Sequence, residues 1–528
     1  MRRIVVVLLA TALFVIWPLA SARGSQPAGS AKPTVRDDFN GDSFPDLAIG
    51  VPDERLGGAE AAGVVHVLYG SPAGLTATGS QLWSQDSPGV AGVPEAVDRF
   101  GTALASGDYN GDGSADLALG APGENTFAGV VHVLYGSPAG LTATGSQLWS
   151  QDSPGVAGVA EPDDQFGSAL AAADFAGDGR TDLAVGAFGE NTFAGVVHVL
   201  YGSPAGLTAS GSQLWSQDSP GVAGVAEEGD QFSFALAAGD LNGDLRGELA
   251  VGAPGENGSA GVVHVLYGSP AGLTATGSQL WSQDSPGVAG GAEPDDRFGN
   301  ALTAGDLNGD GSADLAVGAP GENSFSGVVH VLYGSPAGLT ATGSQLWSQD
   351  SPGVAGVAEG FDIFGGALAD GDFNADGRAD LAVGAWAENS FSGVVHVLYG
   401  SPAGLTATGS QLWSQDSPGV IGAPEGADFF GQALAAGDFN GDTQAELAVG
   451  TPGENVSTGV VHVLIGSPAG LTATGSQLWS QDSPGVAGAA EQGDRFGDAL
   501  AAGTLTSQGN AAASSRAPSS RTTHLTGR

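Results

Sequence analysis

Short apolar stretches alternate with clusters of glycine, proline, serine and aspartate along nearly the whole chain, four stretches to every 66 residues. In the unit that starts at Phe100, FGTALASGDY reads as a first strand and DLALGAP, from Asp116, as a second. GVVHVLYG, from Gly129, is a third, rich in β-branched and aromatic residues, and QLWSQ, from Gln147, a fourth. Outside the apolar N-terminal leader no 3.6-residue periodicity runs long enough for a helix.

The segment GVVHVLYGSPAGLTATGSQLWSQDSPGV begins at Gly63 and recurs almost verbatim from Gly129, Gly195, Gly261, Gly327, Gly393 and Gly459. Seven repeats of four short strands predict an all-β fold, a seven-bladed β-propeller of four-stranded antiparallel blades. The first unit lacks its own first strand, whereas Phe496 to Gly503 is a spare one after the seventh. The C-terminal strand is therefore expected to complete blade one, which removes the open edges that invite aggregation. This reading places the propeller at 36–505, a short linker at 23–35 and a Ser/Ala/Thr/Gly-rich disordered tail at 506–528.

Charge and composition narrow the setting. Arg2 and Arg3 precede an apolar run, Ile4 to Ile16, and Ala20-Ser21-Ala22 has the small-x-small cleavage pattern, so 1–22 reads as a signal peptide of a secreted, extracellular protein. The run is too short to span a bilayer comfortably, and stable membrane insertion is not expected. With no cysteine, an exported fold must take its rigidity from something other than disulfides, and metal ions are the obvious substitute. The 57 acids against 15 bases give a net charge of −42, which argues against nucleic acid and anionic membranes as partners.

The acids are not scattered. Between the first and second strands of each unit lies a loop spaced D-x-N-x-D-x-x-x-D, clearest at Asp108, Asn110, Asp112 and Asp116. Side chains at positions 1, 3, 5 and 9 of a tight turn can converge, and their hard oxygens suit calcium, up to seven ions in all. The absence of nitrogen and sulfur ligands argues against zinc and copper. Blades one, five and six are also complete: Asp38, Asn40, Asp42 and Asp46; Asp306, Asn308, Asp310 and Asp314; Asp372, Asn374, Asp376 and Asp380. Blade three keeps Asp174, Asp178 and Asp182 but has Ala176 at position 3. Blade four has Asp240, Asn242, Asp244 and Glu248, and blade seven Asp438, Asn440, Asp442 and Glu446. Position 6 is glycine in Gly113, Gly311 and Gly377, but Leu245 in blade four and Thr443 in blade seven. The tightest sites are expected in blades two, five and six, and the weakest in blade three.

These residues resemble FG-GAP repeats, the units of the integrin α-chain N-terminal propeller. The name motifs stand as Phe100-Gly101 with Gly120-Ala121-Pro122, and as Phe298-Gly299 with Gly318-Ala319-Pro320, the acidic loop between them in both. The resemblance implies a seven-bladed propeller with calcium loops on one face and a role in adhesion or extracellular recognition. Ser233, Phe188-Gly189 and Trp386-Ala387 depart from the motifs, and seven loops exceed the four or so of integrins.

One histidine, His66 to His462, and one tryptophan, Trp83 to Trp479, repeat in every blade. The histidines read as locally satisfied strand residues and the tryptophans as packing between blades, with a multivalent lectin the alternative. Residues that differ among blades are the better ligand candidates: Trp386, where a turn proline is usual, and Asp53, Glu54 and Arg55 in a loop four residues longer than its counterparts. No catalytic constellation breaks the sevenfold pattern, so a non-enzymatic module binding an extracellular protein or polysaccharide is expected. A hydrolase-associated, phospholipase-like FG-GAP protein and a structural envelope protein remain the alternatives.

Overall fold

The computed structural model describes residues 37–502; the expected leader (1–22), linker (23–35) and tail (506–528) lie outside them. Seven four-stranded antiparallel sheets form the ring of a β-propeller. Blade two shows the pattern: Leu104–Gly107 innermost, then Asp116–Ala121, Val130–Tyr135 and, outermost, Thr142–Trp149. The seven inner strands touch one another in an unbroken cycle, with Ala499–Ala501 between those of blades seven and two. Among the described residues no helix is long and apolar enough to cross a membrane.

The expected closure is present. Ala499–Ala501 pairs antiparallel with Leu47–Val51, Ala48 opposite Ala501 and Gly50 opposite Ala499. The side-chain clasp between outer strands of neighbouring blades is reproduced across this seam. The outer-strand Gln81 of blade one donates to the Leu141 carbonyl of blade two at 2.9 Å and accepts from its N–H at 3.0 Å. Gln477 of blade seven does the same with Leu75 of blade one, at 2.9 and 3.0 Å.

The core lies between blades rather than inside them, because a single sheet has no second layer to bury its faces. Val65, Val67 and Tyr69 of blade one meet Leu104, Leu117 and Leu119 of blade two, with Trp83 packed against the cluster. Six more such clusters follow around the ring, each with one of the repeated tryptophans against it. The tryptophans thus pack between blades, as the sequence suggests.

The FG and GAP glycines mark where backbones touch. A Cβ on Gly120 would come within 1.9 Å of the Gly167 carbonyl oxygen of the next blade, and Gly167 itself has φ +88°. Blade four has Ser233 at the FG position, held at φ 79° with its buried hydroxyl lacking a hydrogen-bond partner. A side chain there is strained, by about 1–2 kcal/mol, and its hydroxyl is desolvated without return. Ser233→Gly is therefore expected to stabilise the ring by about 1 kcal/mol, seen as a rise in calorimetric Tm; an unchanged or lower Tm contradicts this account.

The sequence predicts no helix, yet six single turns such as Glu124–Phe127 are bracketed by residues of right-handed helical geometry, Gly123 and Ala128 in this case. Their middle residues are left-handed: Asn125 has φ 54° and ψ 51°, and Thr126 φ 61° and ψ 45°. They are sharp reversals from the second to the third strand rather than helices.

Candidate functional site: the acidic loops and the opposite face

The acidic loops join first to second strands, so all seven emerge on one face of the ring. Each is anchored by its second residue: Phe39, Tyr109, Phe175, Leu241, Leu307, Phe373 and Phe439 are essentially fully buried in the core. The loops also interlock. The Asp38 carbonyl accepts from Ala115 of the next loop at 3.0 Å, and the same bond recurs from Thr181 to Asp108 and from Ala445 to Asp372. At the seam the equivalent residue is Pro45, which has no N–H to give.

Within a loop the acids have distinct tasks. In blade two, Asp108 accepts the N–H groups of Gly111, Asp112 and Gly113 at 2.6, 3.0 and 2.9 Å. Asn110 accepts from Asp112 at 2.7 Å, and Asp112 from Ser114 at 2.9 Å. The position-9 carboxylate of Asp116 is fully buried and accepts from Tyr109 at 3.0 Å and from Gly136, after the third strand, at 2.9 Å. Burial pushes Asp116 up to about 8, and repulsion from Asp108 and Asp112 adds to that against the pull of the amides. Asp314 and Asp380 behave alike, and Asp46 is pushed up to about 9. The side chains serve the loop's own amides first: among the described residues no three His, Cys, Asp or Glu side chains converge as a metal-holding group.

The loops are unequal in ways the spacing alone does not reveal. Position 6 is left-handed where glycine is missing, with Ser43, Leu245 and Thr443 at φ 78°, 72° and 79°. The longer Glu248 and Glu446 reach back to the position-3 amides of Asn242 and Asn440, at 3.0 and 2.7 Å. Arg180, Arg246 and Arg378, at position 7, pair with the position-5 acids Asp178, Asp244 and Asp376 at 3.1, 3.4 and 3.3 Å. Arg378 gives the blade-six loop an internal cation that the sequence ranking left out.

The opposite face carries the reversals after the second strands and the connections between blades. There a second polar motif repeats. Gln85 donates to Glu124 of the next blade at 2.5 Å, while Asp98 accepts the Glu95 N–H at 2.6 Å. Burial, then repulsion from Asp98, pushes Glu124 up to about 7. Glu54 is blade one's copy of this glutamate, bound by Gln481 at 2.6 Å across the seam. It is thus a closure residue and not peculiar to blade one in its contacts, contrary to the reason for singling it out. Asp53 faces Arg99 at 3.4 Å and Arg495 at 4.0 Å, also across the seam, and Arg55 pairs with the exposed Glu60 at 2.7 Å. Trp386 does not stand clear of the surface: it is half-buried, with Phe391 and Phe429 at ring distances of 6.5 and 5.9 Å.

The repeated histidines are buried, and Nε2 of each lacks a hydrogen-bond partner. They are held by ring contacts rather than by the hydrogen bonds expected: His132 lies edge-on to the FG phenylalanine Phe100 at 5.0 Å, and His66 to Phe496 at 5.2 Å. Burial lowers each to about 4. The folded pKa lies below the ordinary 6.5, so this stability is present above pH 6.5 and drains away as the pH falls toward 4. The raised glutamates act with the opposite sign in part of that range, so a single-site comparison is needed. His132→Leu should lose less stability than the parent between pH 6.5 and 4, by up to about 3 kcal/mol; parallel pH profiles from denaturant melts would refute this.

Ring and loops together define a seven-bladed β-propeller of the FG-GAP type. FG-GAP repeats match residues 34–68, 100–134, 166–200, 232–266, 298–332, 364–398 and 430–464, one per blade, and the chain is an FG-GAP repeat protein related to integrin α chains. It is 36% identical over 189 residues to the phosphatidylinositol-glycan-specific phospholipase D of Rattus norvegicus, covering 34% of this chain and 21% of that protein. It is 32% identical over 234 residues to integrin alpha-PS2 of Drosophila melanogaster, covering 42% and 15%, and 31% identical over 303 residues to integrin alpha-IIb of Homo sapiens, covering 52% and 26%. The chain thus spans about a fifth of the phospholipase and between 15% and 26% of these integrins. Among solved structures, a rhamnogalacturonan lyase of Bacillus licheniformis aligns with 80% of this chain and 70% of its own, at 12% identity and TM-score 0.35.

Proposed function

We propose that this chain is a secreted, calcium-stiffened recognition module that binds an extracellular protein or polysaccharide and catalyses nothing itself. The observation that carries the calcium is the buried position-9 carboxylate, pressed by two further acids in the same loop and, in blades one, two and five, by no loop arginine. That donor set, all oxygen and rich in carboxylates, fits a hard divalent cation. In blade two Asp108, Asn110, Asp112 and Asp116 would hold it, and the bound ion would supply charge neutralisation. Because each loop also plugs the core and bonds to the next, stiffening the loops stiffens the ring.

The recognition half rests on the likeness to integrin α chains and on the export leader. Burial of all seven repeated histidines supports a non-catalytic role, since none can meet a substrate. The likeness to phospholipase D supports a second reading, an accessory module working beside a hydrolase.

A chelator is expected to lower the Tm of the mature protein, each filled site contributing about 2.7 kcal/mol at a hundredfold excess of calcium over Kd; an unmoved Tm would remove calcium from the account. Leu245→Gly relieves the left-handed strain in the blade-four loop and should stabilise the fold by about 1 kcal/mol, read as a rise in calorimetric Tm, with an unaltered or lower Tm the contrary result. Immobilised protein should retain a saturable partner from envelope extracts or a polysaccharide panel in calcium and lose it in chelator. No partner in either condition, with the fold intact, would favour a structural role.

A further inference from the structure

Two junctions differ from their sisters. Eight residues before the inter-blade acidic turn, an aspartate follows the repeated Ser-Gln pair, and in five blades a backbone amide caps it: Ala160 donates to Asp152, Ala226 to Asp218, Ala292 to Asp284 and Ala358 to Asp350 at 3.1 Å, and Ala490 to Asp482 at 3.3 Å. Pro94 takes the donor's place between blades one and two and Pro424 between blades six and seven; neither has an N–H, and the exposed Asp86 and Asp416 carboxylates are released from that bond. The six–seven junction is set apart from the one–two junction by smaller residues beside the aspartate: Gly426 and Ala427 stand where the other has Ala96 and Val97, and Ala427 also stands where blade five has Phe361, whose ring stacks on Phe325 at 5.6 Å. A cleft of about 370 Å³ lies at this junction, on the face opposite the acidic loops.

Its lining is hydrophilic: the carboxylates of Asp416 and Glu425, the hydroxyls of Ser390, Ser392 and Ser414, and the amide of Asn389. The volume falls at the small end of ligand clefts. A lysine stem or an apolar peptide side chain would want apolar walls, which these residues do not give. Anionic ligands meet two carboxylates on a chain of net charge −42. A ligand dense in hydroxyls and bearing an ammonium meets all six groups. We propose that this cleft binds an amino-sugar unit, its ammonium between Asp416 and Glu425 and its hydroxyls on the serines and Asn389. The proposal rests on the recognition reading and names its ligand class.

The test is calorimetric titration of the intact, calcium-loaded protein at pH 6 with a β-1,4-glucosamine hexamer, its fully N-acetylated counterpart, and polygalacturonate. The glucosamine hexamer is expected to bind at one site per chain, the acetylated form about tenfold or more weaker for loss of the charge-assisted bonds, and polygalacturonate not at all. Pro424→Ala, which restores the amide cap with a residue that five sister junctions accept, should weaken binding about tenfold, as should Asp416→Asn, while Asp350→Asn in blade five changes nothing. No binding of the hexamer, equal binding of the acetylated form, seven sites per chain, or an unaffected Pro424→Ala variant would each overturn the assignment. If the cleft fails while the calcium-dependent pull-down still retains a partner, recognition stands and its site lies elsewhere; if both are empty, the recognition reading falls with it.

Discussion

Everything in this molecule depends on closing the ring. A blade buries its two faces only against neighbours, so an open array would leave the apolar surfaces of blades one and seven in water. The strand pairing that prevents this is short, Ala499–Ala501 against Leu47–Val51, and a few backbone hydrogen bonds at about 1 kcal/mol each would not hold it alone. It is held because closure brings the whole interface at once: the Gln477–Leu75 clasp, the Gln481–Glu54 bond, the Asp53–Arg495 contact and a buried cluster spanning Leu47 to Ala502.

The acidic loops are part of the same constraint. Their second residue is a core residue, their first carbonyl receives the next loop, and their ninth side chain is buried between two backbone amides. A loop so fixed cannot swing its buried ninth carboxylate into water to relieve the repulsion. Loop charge and ring stability are therefore coupled, and a cation bound at the loops would act on the interfaces without touching them. In blades three, four and six an arginine supplies part of that charge from within the protein.

Much of this was legible in the sequence, and for a physical reason: the 66-residue period and the strand alternation report burial, which dominates the fold. The missing first strand and the spare last one gave the closure, now seen in the pairing of Leu500 with Ile49. The loop acids were legible as spacing, but not that Arg378 would reach Asp376, because position 7 changes from blade to blade and carries no periodic signal. Strict repetition concealed other features. Gln85 and Glu124 lie 39 residues apart, and nothing local tells that an invariant glutamine and glutamate meet across a blade boundary. Glu54 looked distinctive because its neighbours differ, while its own contact is the common one. The histidines were read by alternation alone, which gives the face but not the phenylalanine that waits on it.

Near-identical neighbours create a difficulty that the structure must answer. If all seven interfaces were interchangeable, any blade could dock on any other, and such arrays are prone to misassembly. The order is kept by the covalent connections and by the positions where repeats disagree. Pro45 removes one loop-to-loop bond at the seam, and an aromatic ring, Phe44, lies against Gly441 there, where an arginine, Arg180, lies against Gly111 between blades two and three. Ser233 and the Phe361–Phe325 stack mark other junctions in the same way. A substitution that distinguishes one interface from six others also gives that interface a surface of its own. Specific binding to a ring this regular requires such a surface, since a feature present seven times can raise avidity but cannot select one orientation of a partner.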